Sequence, residues 1–295
     1  MSIFPQPFTE LKFTRIIPRL DIKGPNLVKG IHLEGLRTLG RPEDFAAFYY
    51  AQGADELIFQ DTVASLYERN SLTDVISRTA KDIFIPLTVG GGIRTLEDIS
   101  NVLRAGADKV AINTAAIQRP DLINEAASMF GSSTIIVAIE ASRQPNGTYL
   151  AFTDNGREHT GVDVIPWIEE AEKRGAGEIL LTSIDKEGTG QGFDHELTTA
   201  ATEITSIPVI THGGAAKASH IKEVVVDSRV DAVAIASMLH YPALTSLLSE
   251  PSTNEGNSEF LKSQKPVKRY GQEQLSEIKK LLKDYGLSIR EVGEC

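Results

Sequence analysis

Residues 85–92 read Ile-Pro-Leu-Thr-Val-Gly-Gly-Gly and residues 207–214 read Ile-Pro-Val-Ile-Thr-His-Gly-Gly, so one phrase returns 122 positions later. Each copy is a short apolar run that stops at glycine, the pattern of a buried strand ending in a tight turn. Working outward, Ala107-Asp108…Val110-Ala111-Ile112-Asn113-Thr114 returns as Val230-Asp231…Val233-Ala234-Ile235-Ala236-Ser237 at a shift of 123. Ile16-Ile17…Asp21 returns as Ile135-Ile136…Glu140 at 119, and Asp55-Glu56-Leu57 as Gly177-Glu178-Ile179 at 122. Landmarks kept in one order mark an internal duplication.

Eight such runs follow one another: Arg15–Asp21, Glu56–Asp61, Ile85–Val89, Lys109–Asn113, Thr134–Glu140, Glu178–Ser183, Val209–His212 and Ala232–Ser237. Segments of helical period lie between them, clearest at Pro42–Gln52, Leu96–Ala105, Pro120–Phe130, Val164–Arg174 and Ala218–Asp227. Several stop beside a glycine suited to a left-handed cap, at Gly53, Gly106, Gly131 and Gly175. The strand cores are almost continuously apolar, as expected when helices cover one side of a parallel sheet and a packed interior fills the other. Strand–helix alternation over two matching halves predicts an α/β fold, a (β/α)₈ TIM barrel built from two half-barrel repeats. The barrel is expected over residues 1–248. Residues 249–270 begin SEPSTNEGNSEF, polar and aperiodic, and read as a mobile insertion. Helical period resumes at Gln274-Leu275…Ile278…Leu281-Leu282, a final helix within 271–295 that packs on the barrel.

Bulk properties narrow the function. The 295 residues are 41% hydrophobic and 24% charged, with no apolar run long enough to span a bilayer and no basic, apolar start of a signal peptide. Thirty basic against forty acidic residues leave a net charge of −10, which argues against a nucleic-acid or anionic-membrane surface. The one cysteine, Cys295, is the last residue, so no disulfide forms within the chain and no Cys-based metal site is expected. Neither a metal nor a cofactor is expected, and the compartment is expected to be the cytoplasm.

In this fold the working residues lie where strands end. Gly91-Gly92 with Asn113-Thr114, and Gly213-Gly214 with Ser237, offer backbone N–H groups that an anion approaches without meeting a Cβ. Either pair read alone could simply be a tight turn. Two copies at equivalent places predict two phosphate sites, hence a bisphosphate small-molecule substrate. Asp21 and Glu140 end equivalent strands between those sites, where an acid without a role would be costly to desolvate. They divide into a general base and a general acid, or else are structural acids paired with Lys23 and Lys29. Asp185, after the sixth strand, joins the substrate-binding candidates; His212 and His240 read as rim histidines outside the chemistry. At the opposite strand ends Arg15, Glu56, Lys109 and Glu178 could form a salt-bridged ring, and periodicity alone reads it as a structural plug.

RIIPRLDIK with VKG, DELIFQDTVAS, IPLTVGGGI, GADKVAINTAA, FGSSTIIVAIE, RGAGEILLTSID with a following GT, HGGA and AIASMLH together resemble the cyclase subunits of imidazole glycerol phosphate synthases. The resemblance covers residues 13–245 and the terminal helix. It implies a lyase of histidine biosynthesis that uses ammonia from a separate glutaminase subunit to cleave and cyclise phosphoribulosyl-formimino-aminoimidazole carboxamide ribotide. The products are imidazole glycerol phosphate and aminoimidazole carboxamide ribotide. Asp21 then matches one catalytic aspartate and Lys29 a substrate-side lysine, with the two glycine-rich sites as phosphate sites. It also makes Arg15, Glu56, Lys109 and Glu178 an ammonia gate, with the glutaminase docked on the N-terminal face.

The chain departs from that family at particular residues. Glu140 and Glu187 stand where aspartate is usual, Arg19 and Ala216 where smaller residues are usual, and His212 where serine is usual. The first loop reads Lys23-Gly24-Pro25-Asn26 in place of an Asp-Gly turn, and the 249–264 stretch is extra. These differences leave open a paralogue that hands ammonia to an amidotransferase modifying cell-surface sugars. The sister phosphoribosyl-formimino isomerase shares the duplicated barrel and works without ammonia; the complete gate and the RGAGEILLTSID stretch argue against it.

Overall fold

A computed structural model describes residues 13–63, 72–247 and 269–291. Strand β1 (Arg15–Lys23) opens the barrel and leads into a hairpin, β2 (Asn26–Ile31) and β3 (Glu34–Gly40). The wall continues with β4 (Leu57–Asp61), β5 (Leu87–Gly90), β6 (Lys109–Ile112) and β7 (Ile135–Arg143). A second hairpin, β8 (Tyr149–Thr153) and β9 (Glu158–Asp163), precedes β10 (Glu178–Ser183), β11 (Val209–His212) and β12 (Ala232–Ile235). Strands β1, β4, β5, β6, β7, β10, β11 and β12 are parallel neighbours, and the β10–β7 and β12–β1 pairings close the ring. The expected (β/α)₈ barrel is therefore the observed one.

Alternation along each strand explains the two cores. Ile16, Leu20, Leu57, Phe59, Val110 and Val137 face outward into the layer shared with the helices. Ile17, Ile58, Ala111, Ile136, Leu180 and Ile210 face inward and fill the barrel's middle. Both sets are buried, which is why these strands read as unbroken apolar runs. Helix Leu96–Arg104 begins with a capping box between Thr95 and Asp98. The glycines expected at helix ends, Gly53, Gly106, Gly131 and Gly175, all have positive φ.

The duplication extends to backbone detail. Asn113, after β6, has φ −123° and ψ −82°; Ala236, after β12, has φ −127° and ψ −87°. Both break the strand and start a helix, at Thr114 and Ser237. The fourth and eighth strands accordingly stop one and two residues short of their expected ends. The two hairpins also rise from equivalent strands, β1 and β7, and pair antiparallel to them. Neither was expected from periodicity, because glycines and charged residues interrupt both segments. Helices Thr73–Thr79 and His195–Ile204 complete the outer layer beyond the five expected.

The polar stretch from 249 lies outside the described residues up to position 268. Arg269 and Tyr270, at its end, pack on the barrel: both donate to the Gly188 carbonyl, at 2.9 and 2.8 Å, and Tyr270 stacks on Tyr241. Helix Leu275–Asp284 buries Leu275, Ile278 and Leu282. Among the described residues no helix is long and apolar enough to cross a membrane.

Candidate functional site

Two glycine turns define the ends of the mouth. Gly91 has φ +96°, and a Cβ there would lie 2.3 Å from the Asp61 carbonyl oxygen. Gly213 has φ +105°, and its Cβ would lie 2.7 Å from the Ser183 carbonyl oxygen. Each turn presses against the end of the preceding strand in its own half, so each place admits only glycine. Gly91 and Gly92 line a cavity with Asn113, Thr114 and Glu140, while Gly213 and Gly214 line a second with Ser237 and His212. Buried polar atoms without a partner among the described residues include Asn113 Oδ1 in the first cavity and Ser237 Oγ in the second. Buried polar groups are rarely left unmatched, and these two residues each line one of the cavities.

A charged network separates the two cavities. Asp21, at the end of β1, is 2% exposed. It accepts from Arg19 Nε at 2.9 Å on one oxygen and from Lys29 Nζ at 2.6 Å on the other. Lys29, on β2, is equally buried and also pairs with Glu187. Glu187 in turn accepts from the Leu33 N–H at 3.0 Å, so the β2–β3 hairpin is tied to the loop after β10. Arg19 Nη1 reaches Thr182 Oγ1 at 3.0 Å and His212 Nδ1 at 3.1 Å. Arginine can only donate, so His212 Nδ1 is the acceptor and its proton sits on Nε2. Burial and the neighbouring Arg19 hold His212 well below the usual imidazole range, which agrees with a neutral ring.

Asp21 and Glu140 sit at matching places and have opposite electrostatics. Burial alone would raise the Asp21 carboxyl, but Lys29 and Arg19 outweigh it and hold it far below the ordinary carboxylate range. Burial likewise would lower Lys29, and Asp21 and Glu187 outweigh it, so Lys29 stays a cation. Glu140 lacks so close a cation. Burial lifts its carboxyl to about 7, against the lowering effects of Arg19 and of the Gly156 N–H. That N–H donates to Oε2 at 2.8 Å, and Asn113 Nδ2 approaches the same oxygen at 3.3 Å. The site thus holds one carboxylate fixed as an anion and one carboxyl that titrates near neutrality.

At the barrel floor Arg15 meets Glu56 at 2.6 Å and Glu178 at 2.9 Å, and Lys109 meets Glu56 at 3.1 Å and Glu178 at 2.5 Å. The four close a ring with charges alternating, the arrangement their spacing suggested. Asp185 stands apart from the other candidates. It accepts from Ser142 Oγ and the Arg143 N–H, and lines a groove beside the mouth with Lys186 and His195. The groups that sequence reasoning left without a role are Arg19, Glu187, Thr182 and His212. The available signal was two charged residues beside strand ends, Arg19 and Glu187, where the chain departs from the residues usual in the family it resembles. His240, expected at the rim, is instead fully buried, bonding Tyr49 Oη at 2.7 Å and the Arg19 carbonyl at 3.0 Å.

The family described as "Histidine biosynthesis protein" matches residues 15–245 of the chain. Among similar proteins is the imidazole glycerol phosphate synthase subunit HisF of Legionella pneumophila, 60% identical over 203 residues, covering 69% of this chain and 96% of the relative. The subunit of the same name from Thermosynechococcus vestitus is 49% identical over 236 residues, covering 78% and 84%. That from Microcystis aeruginosa is 47% identical over 234 residues, covering 78% and 92%.

Proposed function

The chain belongs to the histidine biosynthesis protein family, and from that membership we propose how its barrel acts as the cyclase subunit of an imidazole glycerol phosphate synthase. The enzyme is a lyase of histidine biosynthesis that turns phosphoribulosyl-formimino-aminoimidazole carboxamide ribotide and ammonia into imidazole glycerol phosphate and aminoimidazole carboxamide ribotide, with loss of water. The alternative of a barrel serving a sugar-modifying amidotransferase is not favoured, since the relatives above are all named as subunits of this synthase.

The substrate spans the mouth, one phosphate at Gly91-Gly92 with Asn113-Thr114 and the other at Gly213-Gly214 with Ser237. The observation that carries this is the pair of equivalent glycine cradles, each with an orphaned buried polar atom beside it. Between them Asp21 serves as a permanent anion held by Lys29, and Glu140 takes the proton released when ammonia adds. A carboxyl whose proton affinity lies near the working pH is suited to that exchange. Asp185, away from both cavities, has no part in this scheme.

Ammonia comes from a partner subunit on the N-terminal face. The apolar interior between floor and mouth admits neutral ammonia and penalises ammonium, which would lose its hydration there. Among the described residues the exposed large apolar side chains are Ile31, on the β2–β3 hairpin, and Phe13, Phe84, Met129, Ile204, Val226 and Tyr285, which lie before strands or near helix ends, on the floor side of a (β/α)₈ barrel. Apolar side chains gathered on one face fit a surface that a partner covers.

Calorimetry tests the two-phosphate scheme. The bisphosphate substrate should bind at least about 10²-fold more tightly than either product, each of which carries one phosphate, because one ligand engages two tethered sites. Equal affinities would contradict it.

A further inference from the structure

Arg19 is a fully buried arginine that the duplication does not require. The equivalent position in the second half is Ala138, so the barrel accepts a small residue at this level. Arg19 nonetheless extends from β1 to Thr182 on β10 and His212 on β11. Its Nε is used by Asp21 and its Nη1 by Thr182 and His212. Nη2 is buried and has no hydrogen-bond partner among the described residues. An arginine kept only for packing would carry a recurrent cost, because unmatched buried donors are destabilising and apolar side chains usually serve better.

The surroundings specify what Nη2 awaits. Arg19 lines the cavity of Gly91, Gly92, Asn113 and Glu140, and its contact His212 lines the cavity of Gly213 and Ser237. The guanidinium therefore stands between the two cradles. Arg19 and Lys29 are matched in charge by Asp21 and Glu187, so the ligand group need not bring a full negative charge. It must accept hydrogen bonds, because guanidinium has no acceptor. The planar fork is fixed by three contacts and is preorganised for a planar oxygen acceptor.

We infer that Arg19 is a substrate-binding residue whose Nη2 donates to a carbonyl oxygen carried midway between the substrate's two phosphates, or to the oxyanion made from that carbonyl. This rests on the bisphosphate reading of the site. Arg19 thus selects substrates by their middle, as the glycine turns select them by their ends. A bisphosphate with a hydroxyl in place of the carbonyl can still accept from Nη2, but it loses the planar geometry and the developing negative charge.

The test compares wild type with Arg19→Lys and Arg19→Met, using ammonium salt as nitrogen source. Arg19→Lys keeps a cation beside Asp21 and removes the fork; Arg19→Met removes both. Both should weaken the bisphosphate substrate, or slow its turnover, by about tenfold or more, while inorganic phosphate still binds with wild-type affinity. Wild type should also prefer the carbonyl substrate over its reduced, hydroxyl-bearing analogue, and both variants should lose that preference. Thermal melts identify a variant that has not folded, and Arg19→Lys then carries the test. Unchanged preference in a folded Arg19→Lys overturns the inference, as does equal loss of inorganic phosphate and bisphosphate. Failure of wild type to turn over the bisphosphate contradicts the cyclase reading instead, so the two failures are distinct.

Discussion

Asp21 and Glu140 end equivalent strands, yet one is held by two cations and the other chiefly by burial. Glu140 has a carboxyl raised from an ordinary 4.5 to about 7. The folded state therefore binds that proton more tightly, and the stability this contributes is full below about pH 4.5 and lost as the pH rises through 7. The full span is worth about 3 kcal/mol. Glu140→Gln should match wild type near pH 4.5 and exceed it by up to about 3 kcal/mol near pH 8 in urea titrations, while losing about 10²-fold or more in ammonium-dependent rate. A variant no more stable than wild type near pH 8 contradicts the buried, titrating carboxyl. Acting as a base, Glu140 should also give a rate that rises through about pH 7 at constant free ammonia, an inflection absent from Glu140→Gln. Asp21 has the opposite sign: its depressed carboxyl contributes stability above the usual carboxylate range, lost only as the pH falls through its folded value. Asp21→Asn leaves Arg19 and Lys29 without their shared anion. It should cost about 3–5 kcal/mol, as breaking a buried pair does, and most of the cyclisation rate; wild-type stability would mean the network is not an ion cluster.

At the level of strands and turns, the duplicated glycine turns are the parts most open to test. Gly91→Ala and Gly213→Ala each force a Cβ into positive φ against a carbonyl oxygen. The backbone strain alone is worth about 1–3 kcal/mol. Each should leave one monophosphate site of the two counted by calorimetry in wild type; loss of neither site assigns both turns to the fold alone. These turns were legible in the sequence because a strand ending in Gly-Gly is local information repeated twice. The wall strands were legible for the same reason, as short apolar runs between turn residues. The hairpins after β1 and β7 were not. Leu27 and Leu39 are buried there, but Gly30, Glu34 and Gly35 interrupt the alternation that marks a strand. The Arg19 contacts were beyond reach for another reason: Thr182 and His212 lie 163 and 193 positions away. The family resemblance marked Arg19 as unusual without indicating what it touches. Asp185 follows its strand as expected, and its carboxylate accepts from Ser142 and Arg143, a direction that following a strand does not fix.

Across the whole molecule, a charged ring closes one end of an apolar barrel and two equivalent glycine turns flank a carboxylate pair at the other. Buried ion pairs seldom outperform apolar packing, and in the proposed scheme the floor ring is the point where ammonia passes. Lys109→Met should open the ring and lower the ratio of product formed to glutamine hydrolysed when the partner subunit is present. The rate with added ammonium should change far less, because free ammonia reaches the mouth from solvent; equal loss of both activities would make Lys109 structural. The most direct test of the account needs only the purified chain, ammonium salt and the bisphosphate substrate, with both products quantified over time. Imidazole glycerol phosphate and aminoimidazole carboxamide ribotide should form in equal amounts, without any glutaminase. Binding of the bisphosphate without formation of either product would contradict it.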